Sequence, residues 1–325
     1  MPLRIVFLGS PAFAVIPLER LVADARYQVV GVVTQPDRPA GRGRALVATP
    51  VKQAALRLGV PVLTPETLRD PAAVAELAAL RPDVGVVAAY GEILRRDVLA
   101  IPPLGYVNIH PSLLPLYRGP SPVAGAILNG DAETGVTIML IDAKMDSGPI
   151  LAQRTVPLPP DARTGSLTQE LFAIGADMLV ETLEAYARGA ITPQPQDHAR
   201  ATFTKLLTRD DGIIDWTQPA IRIERMTRAY DPWPGATTTW RGALLKIIAA
   251  RVIADRCADA PPGTLIDTAD GPAVATGDGL LALVTVQPAG KRPLPAADWR
   301  CGLRLSGGEQ LGDASESLSN GAAVH

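Results

Sequence analysis

Apolar residues in the first third of the chain fall in short, nearly unbroken runs: Leu3 to Leu8, Gln28 to Val33, Pro61 to Leu63 and Asp83 to Ala89. A strand covered on one face only alternates apolar and polar side chains, whereas unbroken runs suit parallel strands covered by helices on both faces. Between these runs lie stretches with helical spacing: Phe13 to Ala25, Pro50 to Leu58 and Pro71 to Leu80. Strand and helix in turn through residue 110 predict an α/β fold: a doubly wound, mostly parallel sheet with right-handed crossovers.

The alternation goes on with a helix over Ser121 to Leu128, strands over Gly135 to Ile141 and Pro149 to Val156, and a long helix over Gly165 to Arg188. In that helix Leu167, Leu171, Ile174, Met178 and Leu179 share a face. Residues 1–188 are therefore read as one domain. Residues 189–204, polar and proline-bearing, read as a linker. From 205 to 304 the texture changes. After a helix over Pro219 to Arg228 come TTTW, ALLKIIAARVI, GTLID, AVATG and LLALVTVQPAG, divided by glycines, the pattern of a small antiparallel barrel. Residues 305–325, rich in Gly, Ser and acidic side chains, read as a frayed tail.

Composition narrows the possibilities. The 325 residues suffice for two cores, and 47% apolar with 20% charged is ordinary for a globular protein. A net charge of −2 supplies no general basic field, so any nucleic acid must be held by local patches. Two cysteines, Cys257 and Cys301, with no CxxC and no grouped histidines, argue against a disulfide scaffold or a metal centre. The apolar run Val6 to Leu18 imitates a signal peptide, but Gly9, Ser10 and Pro11 break it and Glu19 and Arg20 follow too soon. No run reaches membrane-spanning length. A soluble, cytoplasmic protein is expected.

The candidate chemistry gathers around NIHPSLLPLYRG. Ligands in open α/β sheets sit beyond the carboxyl ends of the strands, and Asn108 and His110, two apart at such an end, point to one side. Asp146 follows in DAKMDSGPI. A carboxylate at Nδ1 would fix the tautomer of His110 and raise its pKa, and a carboxamide can donate to a developing oxyanion. Taken singly each residue also fits a structural role, a strand-end hydrogen bond or a turn. Only three histidines occur, and His198 and His325 lie in the linker and at the last position, which makes His110 the acid–base candidate of the core. No Ser or Cys nucleophile accompanies the set, so the acceptor must supply its own. GSPAFA after the first strand lacks the glycines of GxGxxG, which argues against a nicotinamide enzyme.

Together with GSPAFAV, VVTQPDRPAGRGRAL, VAAYGEIL, ETGVTIMLIDAKMDSGPIL, RAYDPWPGA and LVTVQPAGKR, the NIHPSLLPLYRG stretch resembles the folate-dependent formyltransferases, and the likeness runs from Leu3 to Arg292. The resemblance implies a Rossmann-like formyl-donor domain followed by a smaller OB-type barrel. It also implies transfer of the formyl group of 10-formyltetrahydrofolate to the α-amine of methionyl-initiator-tRNA, by a monomer that needs no metal. Asn108, His110 and Asp146 would be catalytic. Ser112, Leu113, Leu114 and Pro115 would line the folate site, with Val87, Tyr90, Gly91, Ile93 and Leu94 as its apolar wall. Arg38, Arg42 and Arg44 would meet the tRNA acceptor end, and Lys205, Lys246 and Lys291 would extend the grip. The family often carries lysines where this chain has Arg44 and Ala45, and LLTRDDGIIDW departs from its commoner form. Trp216, Trp233 and Tyr230 are read as packing residues rather than base-stacking platforms. A sister enzyme acting on a sugar nucleotide or small amine would share the catalytic set; the barrel and the arginine loop argue against it.

Overall fold

The computed structural model describes residues 1–40, 45–253, 259–269, 271–303 and 308–312. Two compact units emerge: one from Met1–Val123, Ala132–Leu158 and Ser166–Lys205, the other from Ala124–Asp131, Pro159–Gly165 and the chain from Leu206 onward. Up to the long helix the elements are β1 (Leu3–Gly9), α1 (Val15–Ala23), β2 (Tyr27–Val33), β3 (Arg38–Ala40), β4 (Ala45–Val47), α2 (Pro50–Arg57), β5 (Val62–Leu63) and α3 (Pro71–Ala79). Then come β6 (Val84–Ala88), α4 (Arg96–Leu99), β7 (Tyr106–His110), α5 (Pro122–Asn129), β8 (Glu133–Leu140), β9 (Ile150–Pro157) and α6 (Thr164–Ala187).

Seven strands of the first unit form one sheet in the order β5-β2-β1-β6-β7-β8-β9. β5, β2, β1, β6 and β7 are parallel, while β8 and β9 are added antiparallel. Of the parallel strands, β1, β2, β5 and β6 are those with the apolar runs, and every residue of β6 is buried. Thr-Pro and Asp-Pro pairs start two of the helices. The Thr49 hydroxyl accepts from the Lys52 N–H and the Asp70 carboxylate from the Ala72 N–H, with proline at the first helical position each time. Between β1 and β6 the strand order reverses, which opens a crevice at their carboxyl ends. One close approach is set by glycine: Gly85 in β6 pairs with Tyr106 in β7, and a Cβ there would stand 2.1 Å from the tyrosine ring. β3 and β4 form a hairpin where the sequence predicts only a Pro/Gly/Arg loop; its three-residue strands are too short to show alternation. Residues 41–44 lie outside the described residues.

The second unit holds α7 (Ala220–Ala229), β10 (Ala236–Trp240), β11 (Ala243–Ile253), β12 (Leu265–Thr268), β13 (Gly271–Ala275), β14 (Leu280–Pro288), β15 (Leu294–Pro295) and α8 (Ala296–Cys301). Its sheet runs β10-β11-β14-β13-β12 with β15 on β14, all antiparallel. Trp216, Ile223, Ile247, Leu281, Val286 and Trp299 lie in its core. The Trp216 indole N–H donates to the Thr238 hydroxyl at 3.0 Å, and Tyr230 is buried as expected. Trp233 departs from its expected packing role: it is 51% exposed, in the turn between α7 and β10 and outside both elements. Among the described residues no helix is long and apolar enough to cross a membrane.

Candidate active site

β7 lies between β6 and β8, so its backbone is hydrogen-bonded on both edges and its end is held firmly. Asn108 and His110 leave one side of it. His110 is 4% exposed, and its Nε2 stands 3.0 Å from the carbonyl oxygen of Tyr117. A carbonyl can only accept, so Nε2 carries the proton and the neutral ring keeps its lone pair on Nδ1. Nδ1 is 3.8 Å from Asp146 Oδ2, which is ion-pair range but longer than a hydrogen bond. That same oxygen accepts from the Gly119 N–H at 2.7 Å. Two expectations change here. The Tyr117 carbonyl, not a carboxylate, fixes the tautomer. The His110 pKa is also lowered rather than raised, because burial outweighs the opposing effects of Asp146 and of the Tyr117 hydrogen bond. The imidazole is thus neutral near pH 7, with a carboxylate ready to support it once charged. The half-buried Asn108 carboxamide makes no hydrogen bond with any described residue, so its donors are free for a ligand.

The Pro-bearing loop after His110 is stapled to β8 and β9 by one hydroxyl. Thr137 Oγ1 donates to the Ser112 carbonyl at 2.7 Å and accepts from the Leu114 N–H at 3.1 Å and from Gln153 Nε2 at 2.9 Å. Gln153 Nε2 also reaches the Leu114 carbonyl at 2.9 Å. Leu113 packs over Gly135, where a Cβ would come 2.4 Å from its Cδ2. Of the four residues expected to line a folate pocket, Ser112 and Leu114 are buried, with the Ser112 hydroxyl donating to the Leu116 carbonyl at 2.7 Å. Leu113 and Pro115 stay partly accessible. In VAAYGEIL, Val87, Tyr90 and Leu94 turn into the core with Val6, Leu8 and Tyr106, and Gly91 and Ile93 are exposed. The accessible surface of that stretch comes mainly from Ala89, Gly91 and Ile93.

Sequence reasoning passed over Gln196 and gave Arg118 no role. Gln196 sits in the proline-bearing segment after α6, yet it is 6% exposed and its amide donates to the Asp146 and Gly148 carbonyls. Its polar, proline-flanked surroundings have the composition of a solvated linker, so no local signal marks it. Arg118, the arginine of LYRG, is buried beside it.

The basic residues stand as follows within each unit. Arg38 pairs with Glu66 at 2.9 Å on an exposed surface, and Arg42 and Arg44 lie outside the described residues. Lys205 and Lys291 are exposed; Lys246 lies against the turn at Gly235, its Nζ 3.4 Å from the Pro232 carbonyl. Arg222 and Arg225 donate to the Leu128 and Asn129 carbonyls, and Arg228 forks onto Glu224. Among the described residues no three His, Cys, Asp or Glu side chains could hold a metal ion together.

Comparison with known proteins gives two family matches, "Formyl transferase" over residues 3–183 and "Formyl transferase, C-terminal domain" over 206–304. A methionyl-tRNA formyltransferase of Roseiflexus sp. (strain RS-1) is 94% identical over 325 residues, all of both chains. One from Chloroflexus aurantiacus is 64% identical over 303 residues, 93% of this chain and 97% of that one. Among solved structures, WlaRD, a sugar 3N-formyl transferase crystallised with dTDP and 5-N-formyl-THF, aligns with TM-score 0.64 at 16% identity over 90% of this chain and 100% of that one. HypX from Aquifex aeolicus in complex with tetrahydrofolic acid aligns with TM-score 0.59 at 21% identity over 92% of this chain and 47% of that one. At such identities the two structures speak for the fold alone.

Proposed function

The chain belongs to the formyl transferase family, and we propose that Asn108, His110 and Asp146 carry its reaction. The protein transfers the formyl group of 10-formyltetrahydrofolate to the α-amino group of methionyl-initiator-tRNA, the step that prepares it for translation initiation. What carries the reading of the site is the meeting of an unpartnered carboxamide with a buried, neutral imidazole whose Nδ1 faces Asp146. The amine nitrogen bonds to the formyl carbon while the carbonyl electron pair moves onto oxygen. His110 Nδ1 takes a proton from the attacking nitrogen, and Asp146 supports the imidazolium that results. The Asn108 carboxamide donates to the oxyanion. When the C=O re-forms, the bond from carbon to N10 of the folate breaks and N10 regains a proton from His110. The products are formyl-methionyl-tRNA and tetrahydrofolate, and the imidazole is neutral again.

On the same reading Leu113, Pro115, Gly91 and Ile93 offer the folate its surface, and the stapled loop presents it without a large ordering cost on binding. Residues 1–188 form the donor-binding catalytic part, 189–204 the connection and 205–304 an OB-type barrel for tRNA. Arg38, Arg42 and Arg44 meet the acceptor end, and Lys205, Lys246 and Lys291 add phosphate contacts. The enzyme works in the cytoplasm as a monomer. The test is a formylation assay with 10-formyltetrahydrofolate and methionylated initiator or elongator tRNA. We expect formyl-methionine on the initiator, and a kcat about 10²- to 10⁴-fold lower after His110→Ala. Transfer only to a free small amine, or turnover indifferent to His110, would overturn the reading.

A further inference from the structure

We infer that Gln196 is a positioning residue that holds the Asp146 turn in its reactive geometry, an inference that rests on the catalytic role proposed for Asp146. A glutamine carboxamide has two N–H donors and two acceptor directions on its oxygen. Gln196 uses all four. Its Nε2 donates to the carbonyls of Asp146 at 2.9 Å and Gly148 at 2.7 Å, and its Oε1 accepts from Arg118 Nε at 3.1 Å and Nη2 at 2.7 Å. Exchanging O and N would set oxygen against two carbonyls and N–H against a guanidinium, so the chemistry allows one orientation only.

These bonds close a ring that passes through Asp146. Arg118 is joined through its peptide to Gly119, whose N–H binds Asp146 Oδ2 at 2.7 Å. The Asp146 carbonyl returns through Gln196 to the Arg118 guanidinium. That cation is 4% exposed, makes no ion pair with a described carboxylate, and also meets His198 Nδ1 at 2.9 Å. Gln196 therefore serves a buried charge on one side and the turn on the other. The turn needs holding, because Asp146 has φ +46, a conformation few non-glycine residues adopt unsupported. Gly148, two residues on, has room for no side chain: a Cβ would stand 1.9 Å from the Leu140 carbonyl oxygen. The two amide bonds thus grip the backbone on both sides of Ser147, beside a carboxylate only 3.8 Å from the imidazole.

Gln196→Glu separates the two duties. A carboxylate still accepts from Arg118, now as an ion pair, but it cannot donate to the two carbonyls. We expect a folded protein whose kcat falls about 10- to 100-fold, with KM for tRNA and for the formyl donor both unchanged. In an Asp146→Asn background the same substitution should cost little more, since the group it positions is already gone. Should the Glu protein fail to fold, Gln196→Asn, which keeps an amide at shorter reach, takes its place in the cycle. Full kcat in a folded Gln196→Glu protein, or losses that simply multiply with Asp146→Asn, would reduce Gln196 to an anchor for Arg118 and overturn the inference. If Asp146→Asn alone leaves kcat intact, the assigned role of Asp146 falls, and this inference with it.

Discussion

His110 is neutral because burial disfavours its charged form more than Asp146 and the Tyr117 carbonyl favour it. The sign has a consequence for stability. The unfolded chain titrates this imidazole near 6.5 and the folded protein does so lower. As pH falls through 6.5, the unfolded chain takes up a proton that the folded one refuses, so stability present above 6.5 drains away toward the folded value. His110→Gln removes that contribution. Thermal melts should show the parent losing more Tm than the variant between about pH 7.5 and about pH 5.5; equal losses would mean the ring is not desolvated. On the role proposed for Asn108 the effect there is on the barrier. Asn108→Ala should lower kcat about 10²- to 10³-fold with little change in Tm, the size expected for one lost oxyanion donor.

Among the elements, β8 has a duty beyond pairing, since Thr137 is the staple for the loop after β7. Thr137→Val would strand the Ser112 carbonyl and the Leu114 N–H in a buried place, at a cost of about 1–3 kcal/mol. We expect a lower Tm and a rise in KM for the formyl donor that exceeds any rise for tRNA; unequal effects in the opposite sense would count against the staple. The parallel strands and their helices were readable in advance because burial on both faces forces apolar runs, and Thr49-Pro50 and Asp70-Pro71 announce helix starts. Asn108, His110 and Asp146 stood out by residue type and family likeness. What stayed hidden was long-range: Gln196 lies about 50 residues beyond the carbonyls it holds, and nothing in PQPQD distinguishes it from a solvated glutamine. The same holds for the source of the His110 tautomer, a backbone oxygen that carries no residue signature. Trp233 misled for a related reason, since an indole in a turn has no periodicity to say which way it faces.

For the molecule as a whole, a net charge of −2 means that tRNA is not drawn in from a distance. Grip must come from single cations, and several of them already have partners. Arg38 faces Glu66, and Arg228 faces Glu224. An exposed pair such as Arg38–Glu66 contributes little to stability, so its arginine can change partners at small cost when a phosphate arrives. Each remaining cation then carries a large share. Arg42→Ala should raise KM for tRNA and reduce the salt dependence of binding by about one counterion, leaving KM for the formyl donor as it was. An equal rise for the donor would count against the tRNA role proposed for Arg42.

The oxygen that sets the histidine tautomer belongs to the main chain at Tyr117, so no codon change at that position can delete it. A conventional alanine scan of this segment would rate 117 by its phenol ring and pass over the atom on which the neighbouring imidazole depends.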